Sequence, residues 1–449
     1  MGKYFGTDGF RGEANVGLNV THAYKIGRFL GYYYGQQQKK EARIVIGKDT
    51  RLSGYMFEYA LVSGLMASGA KTYLLHVAPT PCVSFNVIQQ GYDCGIMISA
   101  SHNPYYDNGI KIMDEKGHKI SAELEQMLED YMDAEEDTLP YATKNTIGKT
   151  IDFAIGRGHY LKHLQSLKTH PYNGLRIGID CANGAASTLA KPLFEQLGAE
   201  VFVIHNKPNG TNINRNCGST HTKVLQSFVV DNGLDAGFAY DGDADRCFAV
   251  DNNGRLVNGD LILYLCGTYM KEKGTLKNDT VVATMISNIG LGMALKEHGI
   301  HLVQTDVGDK YVSECMVANN YCLGGEQTGH IIYGDYTSTG DGLLTSLMIM
   351  NILADKGKPF DELLSGICIY PQLSINVPVT DKKLAHSDID LIKTVQGIEA
   401  SLGNDGRVIV RESGTEPLLR LMVEAKNDSI CQDCINQLMN VLTAKGYVI

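Results

Sequence analysis

Asp241, Asp243 and Asp245 stand at alternate positions of the segment Asp241-Gly-Asp-Ala-Asp-Arg246. On a short turn such carboxylates converge. At a separation of about 4 Å and an effective dielectric near 20, each like-charged pair costs roughly 4 kcal/mol, so the trio must splay, protonate or bind a cation. Oxygen-only donors favour a hard divalent ion, Mg²⁺ before Ca²⁺. The same aspartate spacing opens an EF-hand loop, but that motif takes Gly at its sixth position and Glu at its twelfth, where this chain has Arg246 and Asn252. The flanking runs 234–240 and 247–251 read as strands, which puts the acids on a loop at strand ends.

A second group follows the apolar run 94–99. In Ile98-Ser-Ala-Ser-His-Asn-Pro104 the hydroxyls of Ser99 and Ser101 and the ring of His102 emerge at the carboxyl end of a strand, where open α/β sheets place ligands. No GxSxG elbow is present. Neighbouring strand residues face opposite ways, so His102 is not expected to deprotonate Ser101. A serine that carries a phosphoryl group fits better. Lys111 adds a cation downstream. In Arg411-Glu-Ser-Gly-Thr-Glu-Pro417, small residues expose backbone N–H groups, and Arg411, Ser413, Thr415 and the later Arg420 add donors suited to a phosphate dianion. This is not a P-loop. Gly324-Gly-Glu-Gln-Thr-Gly-His330 offers Glu326, Thr328 and His330 to sugar hydroxyls or an amine. Phe5-Gly-Thr-Asp-Gly-Phe-Arg-Gly12 presents Arg11 from a Gly-rich loop, and Gly47-Lys-Asp-Thr-Arg51 presents further charge after a strand; either can be structural, with Asp49 or Arg51 in an ion pair.

These loops need a scaffold that alternates strands and helices. Runs 43–47, 72–77 and 94–99 are strands separated by helical stretches such as 56–68, and comparable strands open at 175–180 and 280–284. The recurrence suggests a repeated α/β module. The last stretch differs: runs 373–379, 407–410 and 418–423 with a terminal helix form an α+β cap. A chain of 449 residues with 44% hydrophobic content supports several cores. The expected division is 1–155, 156–252, 253–368 and 369–449. A net charge of −10 without a Lys/Arg run argues against nucleic acid or an anionic membrane as partner. No apolar leader or span-length apolar run is evident, so a cytoplasmic location is expected. Eleven cysteines without framework spacing then read as reduced thiols. Cys431-Gln-Asp-Cys434 falls on the apolar face of the terminal helix with Ile430, Ile435 and Leu438, which favours core over redox chemistry.

Taken in order, the FGTDGFRG, ISASHNP, DGDADR, GGEQTGH and RESGTEP segments resemble the α-D-phosphohexomutase superfamily over the whole chain, and the 181–184, 308–312 and 339–342 segments are similar to its glucosamine-phosphate branch. The resemblance implies three similar α/β domains of mixed sheet with helices on both faces, plus a C-terminal α+β phosphate-binding domain, around a central cleft. It also implies interconversion of glucosamine 6-phosphate and glucosamine 1-phosphate through a phosphoserine at Ser101 and a glucosamine 1,6-bisphosphate intermediate, feeding amino-sugar and cell-wall synthesis. One Mg²⁺ per chain would be held by Ser101, Asp241, Asp243 and Asp245. Arg11, Lys111, His330 and Arg246 would line the transfer centre, with Lys111 and His330 as candidate bases. Glu326 and Thr328 would contact the sugar, and Arg411, Ser413, Gly414, Thr415 and Arg420 would clamp its other phosphate. A homodimer is what the family suggests. Ala244 stands where Gly is usual, Thr328 where Ser is usual, and Lys310 where Arg is usual; the last replaces a bidentate fork with a point charge. The alternatives are a mannose or glucose phosphomutase with the same machinery, a non-catalytic sugar-phosphate sensor, and a Mg²⁺ phosphatase.

Overall fold

The computed structural model describes residues 2–6, 8–37, 40–413 and 416–449. By its contacts the chain divides into two units, residues 1–285 with 302–364 and residues 286–301 with 365–449.

In the first unit, β1 (Phe5–Gly6), β2 (Gly9–Glu13), β3 (Arg43–Lys48), β4 (Lys71–Val77), β5 (Cys94–Ile98), β6 (Asp107–Met113) and β7 (Lys149–Asp152) build one mixed sheet in the order β1-β2-β6-β5-β3-β4-β7. β3 runs parallel to β4 and β5, whereas β6 runs antiparallel to β5 and β2. Ile44, Val45, Ile46, Ile96, Met97 and Ile98 are all buried, so both faces of β3 and β5 are covered. That is why these strands read as continuous apolar runs rather than alternating ones. The helices Val20–Gln37 and Gly54–Ala67 cross closely beside this sheet: a Cβ on Gly64 would stand 2.8 Å from the backbone nitrogen of Arg28.

A second sheet holds β8 (Arg176–Asp180), β9 (Glu200–Ile204), β10 (Ala236–Tyr240), β11 (Cys247–Asp251) and β12 (Leu256–Val257) in the order β12-β11-β10-β8-β9. A third holds β13 (Thr280–Thr284), β14 (His301–Thr305), β15 (Leu323–Gly325) and β16 (Ile331–Tyr333) in the order β14-β13-β15-β16. Both are mixed: β8, β9 and β10 are parallel with β11 antiparallel, and β13 and β15 are parallel with β16 antiparallel.

The second unit carries β17 (Gln372–Pro378), β18 (Arg407–Glu412) and β19 (Leu418–Glu424), all antiparallel with β19 central. Helices Ile389–Leu402 and Asp428–Ala444 contribute Leu391, Ile398, Ile435 and Leu438 to its core. Cys431 and Cys434 are buried in that same core, as their place on the apolar face predicted. The α/β class expected from the sequence is therefore observed. No helix among the described residues is long and apolar enough to cross a membrane.

Candidate active site

β10 and β11 form a hairpin whose last ladder pair is Tyr240 opposite Cys247, and the loop between them holds the three aspartates. Ala244 takes φ +54°, the left-handed region where glycine is unstrained, which explains why Gly is the usual residue there. Asp241, Asp243 and Asp245 are all buried, and one oxygen from each lies within 4.8 Å of the others. Oδ1 of Asp243 and Oδ1 of Asp245 are buried and accept no hydrogen bond. Carboxylate oxygens taken out of water without a donor are costly, so this loop has the donor set and the unmet demand of a hard-cation site.

β5 ends at Ile98, and residues 99–104 leave the sheet as a turn. Ser101 sits there with φ +53°, and its hydroxyl donates to Oδ2 of Asp241 at 2.6 Å, across 140 positions of sequence. The expectation that His102 faces away is corrected: its Nδ1 lies 3.4 Å from the Ser101 hydroxyl. The alternation rule holds for extended strands, and Ser101 is left-handed. Burial, reinforced by the charges of Arg246 and Arg11, pushes the His102 imidazole down to about 4.

Lys111 projects from β6 and, unlike a typical lysine, is only 4% exposed. Its Nζ lies 2.8 Å from Oδ2 of Asp243, 3.0 Å from Oδ2 of Asp245 and 3.1 Å from Oδ2 of Asp8. Burial opposes its charge, but these three carboxylates outweigh burial and hold it well above the usual lysine range. Thr80 donates to Oδ2 of Asp243 at 2.5 Å. Burial and its two acidic neighbours push Asp241 well up, whereas Lys111, His330 and Arg246 overcome burial and hold Asp245 well down.

Arg11 pairs with Asp8, whose other oxygen meets Lys119 at 3.1 Å, and Lys119 reaches Asp309 at 2.7 Å. Arg246 lies against the site, 3.4 Å from the His102 ring and 4.0 Å from Asp245. His330 is buried after β15; its Nε2 accepts from the Gly340 N–H at 2.9 Å, and its Nδ1 stands 3.9 Å from Asp245. Glu326 is half-buried with Thr328 exposed beside it, the Thr328 hydroxyl 3.4 Å from the Glu326 carboxylate. A cavity of about 490 Å³ adjoins the acid loop, lined by Asp8, Lys111, Lys119, Asp245, Lys310 and His330. The structure thus gathers Ser101, the three aspartates, Lys111, Arg246, His330 and Arg11. Asp8, Thr80, Lys119 and Asp309 join them without having been singled out. Asp8 lies inside the FGTDGFRG motif, but nothing in its spacing announces partners more than a hundred residues away.

In the second unit, Arg411 of β18 and Arg420 of β19 face each other as a cross-strand pair. Burial and the Arg420 charge both push Arg411 down. Like charges placed directly opposite destabilise a sheet unless an anion joins them. Ser413 is buried and pairs its N–H with the Leu418 carbonyl at 3.0 Å. Gly414 and Thr415 lie outside the described residues. Elsewhere, Asp180, His205 and Cys217 also cluster; there both Asp180 oxygens have partners, His205 at 3.0 Å and the N–H groups of Ala182 and Gly218, unlike the orphaned oxygens of the acid loop.

Models for alpha/beta/alpha domains I, II and III and for the C-terminal domain of the phosphoglucomutase/phosphomannomutase family match residues 2–139, 158–254, 258–368 and 375–441, and the chain belongs to that family. Within it, the chain is 55% identical to the phosphoglucosamine mutase of Lachnoclostridium phytofermentans over 448 residues, covering 100% of both chains. It is 45% identical to that of Bacillus subtilis over 99% of each chain. Among solved structures, a phosphoglucomutase/phosphomannomutase family protein from Burkholderia thailandensis superposes with a TM-score of 0.81 at 23% identity, covering 99% of this chain and 98% of that one. N-acetylphosphoglucosamine mutase from Aspergillus fumigatus, solved in complex with GlcNAc-6P and magnesium, gives a TM-score of 0.72 at 18% identity over 99% of this chain and 96% of that one. These two likenesses concern the fold.

Proposed function

We propose that the chain is a phosphoglucosamine mutase, interconverting glucosamine 6-phosphate and glucosamine 1-phosphate. The observation that carries the reading is the 2.6 Å bond from the Ser101 hydroxyl to Asp241, which sets a nucleophilic oxygen against a buried acid trio. A sensor has no use for that arrangement. A phosphatase would need an aspartate as nucleophile and would release phosphate irreversibly, whereas here Asp241 accepts the Ser101 hydroxyl and Asp243 and Asp245 are tied to Lys111. The full-length relatives named above point to the amino sugar.

Asp241, Asp243, Asp245 and the Ser101 oxygen would hold Mg²⁺, and the orphaned Oδ1 atoms of Asp243 and Asp245 fit that role. Once bound, the ion would neutralise phosphoryl oxygens and polarise phosphorus. A phosphoserine brings about −1.5 to −2 of charge, and Arg246, Arg11 and Lys111 supply fixed positive charge around it. Phosphorylated Ser101 passes its phosphoryl group to O1 of glucosamine 6-phosphate; the P–O bond to serine breaks as the bond to O1 forms. The bisphosphate turns around, and Ser101 takes back the 6-phosphoryl group, releasing glucosamine 1-phosphate. Lys111, within 3.1 Å of three carboxylates, brings positive charge to the transferring group, and Lys111 and His330 are the two candidate bases for the sugar hydroxyl. Glu326 faces the amine at C2. Arg411, Ser413 and Arg420, with Gly414 and Thr415, hold the phosphate that is not being transferred.

The test is ³¹P NMR of the protein with glucosamine 6-phosphate, Mg²⁺ and a trace of bisphosphate. The 1-phosphate resonance should grow in, and Ser101→Ala should abolish it while leaving the thermal midpoint unchanged. Faster turnover of glucose or mannose phosphates would overturn the substrate assignment.

A further inference from the structure

The Ser101 backbone is held from two sides by side chains that never touch its hydroxyl. Arg51, wholly buried, donates from Nη2 to the carbonyls of Ser101 at 2.8 Å and Asn103 at 2.9 Å, and from Nη1 to the carbonyl of Asp107 at 3.0 Å and that of Pro104. Its charge is balanced by Asp49, 2.8 Å from Nε. Asp49 also accepts the Ser99 hydroxyl at 2.7 Å, and Ser99 Oγ accepts the Ser101 N–H at 2.9 Å. From the loop between β9 and β10, Nδ2 of Asn214 donates to the same two carbonyls, Ser101 at 2.8 Å and Asn103 at 3.1 Å. Asn214 is itself left-handed at φ +57°, and its N–H is tied to the Ala182 carbonyl at 2.9 Å. Gly242 completes the seat, since a Cβ there would stand 2.5 Å from the Ser101 carbonyl oxygen.

We infer that Arg51 and Asn214 are positioning residues that hold Ser101 in its left-handed conformation, so that its oxygen stays aimed at the acid trio; the inference rests on the mutase reading. A serine released from this grip relaxes toward the right-handed region, and the Cα–Cβ bond swings with it. Orienting the serine peptide orients Oγ. Phosphoryl transfer depends almost wholly on positioning and charge, and a misplacement of about 1 Å costs about 10²-fold in rate. Asn214 comes from a different sheet than Ser101, so the clamp also registers the serine loop against the loop that carries the aspartates.

Asn214→Gly keeps the left-handed backbone and removes the amide donors. Asn214→Asp keeps the shape and points a carboxylate at two carbonyl oxygens. Asn216→Gly, at an exposed left-handed position two residues on, controls for loosening of the loop. Steady-state turnover of glucosamine 6-phosphate by the phosphorylated, Mg²⁺-loaded protein should fall about 10²-fold in kcat for both Asn214 variants, with KM within about twofold of the parent and with Asn216→Gly like the parent. In parallel, protein carrying genetically encoded phosphoserine at position 101 should show a shifted or broadened ³¹P resonance in both Asn214 variants and not in Asn216→Gly. Equal kcat in Asn214→Gly and the parent, a loss shared by Asn216→Gly, or a loss confined to KM overturns the clamp. If the parent fails to turn over the sugar phosphate, the functional assignment falls, and the ³¹P resonance alone then decides the clamp: unchanged in Asn214→Gly, it overturns it.

Discussion

Lys111 shows how one side chain can serve two opposed ends. Its ammonium lies 2.8 and 3.0 Å from oxygens of Asp243 and Asp245, where a divalent ion would also draw its charge compensation. Removing that positive charge deepens the potential at the loop. Lys111→Met is therefore expected to bind Mg²⁺ about tenfold more tightly in the unphosphorylated protein, read by calorimetry. The same variant should lose about 10²-fold or more in turnover, because a fixed cation beside the transferring group is gone. Equal or weaker Mg²⁺ binding would show that the lysine does not compete with the ion. The His102 ring makes the complementary point: its approach to Ser101 follows from a single left-handed φ, a detail that residue types alone do not encode.

At the scale of elements, close approaches and caps set the frame. Gly64 lets the helix Gly54–Ala67 rest on Val20–Gln37, and a Cβ there would press on the Tyr24 carbonyl and on the Arg28 nitrogen. Gly64→Ala should cost about 1–3 kcal/mol in denaturant unfolding of this region, because the overlap is with backbone that cannot rotate away. Asp341 caps the helix Gly342–Lys356 by accepting the Leu344 N–H at 2.9 Å, and it takes the Tyr160 hydroxyl at 2.8 Å. Burial raises this carboxyl to about 6 from an ordinary 3.8, despite the opposing pull of the Leu344 N–H and Tyr160. The folded state therefore binds the proton more tightly than the unfolded chain. Its contribution to stability is fully present below pH 3.8 and fades as pH rises through about 6. Asn at this position keeps the cap without titrating. Relative to Asp341→Asn, the parent should lose about 3 kcal/mol between those pH values, followed as the difference in thermal midpoint; a flat difference would refute the raised carboxyl.

Over the whole molecule, chemistry is divided among sheets. The serine turn follows β5 and the acid loop joins β10 to β11. The paired arginines sit on β18 and β19 of the second unit. Two guanidinium groups facing each other are costly without an anion, so a phosphate bound there relieves repulsion as well as gaining charged hydrogen bonds. Replacing Arg411 and Arg420 by Gln should raise KM for glucosamine 6-phosphate by about 10²-fold and leave Mg²⁺ affinity, measured without sugar, as in the parent. A shift in the metal affinity would mean that the two functions are not separable in this way.

Much of this was legible in the chain itself. The runs 43–47, 280–284 and 247–251 became strands within a residue or so of their sequence limits, since a strand buried on both faces is written as a near-continuous apolar run. Alternate aspartates on a turn pointed to a cluster of acids that could hold a cation, and the three do converge, because their mutual repulsion is a local fact. What local spacing cannot declare is which strand ends become neighbours. Core packing and strand order decided that Ser101 meets Asp241, that Lys111 is buried among three carboxylates, and that Asn214 grips a carbonyl 113 residues away. Those contacts exist only once the sheets have formed, because they depend on the register and crossover of whole strands and not on any motif's own residues.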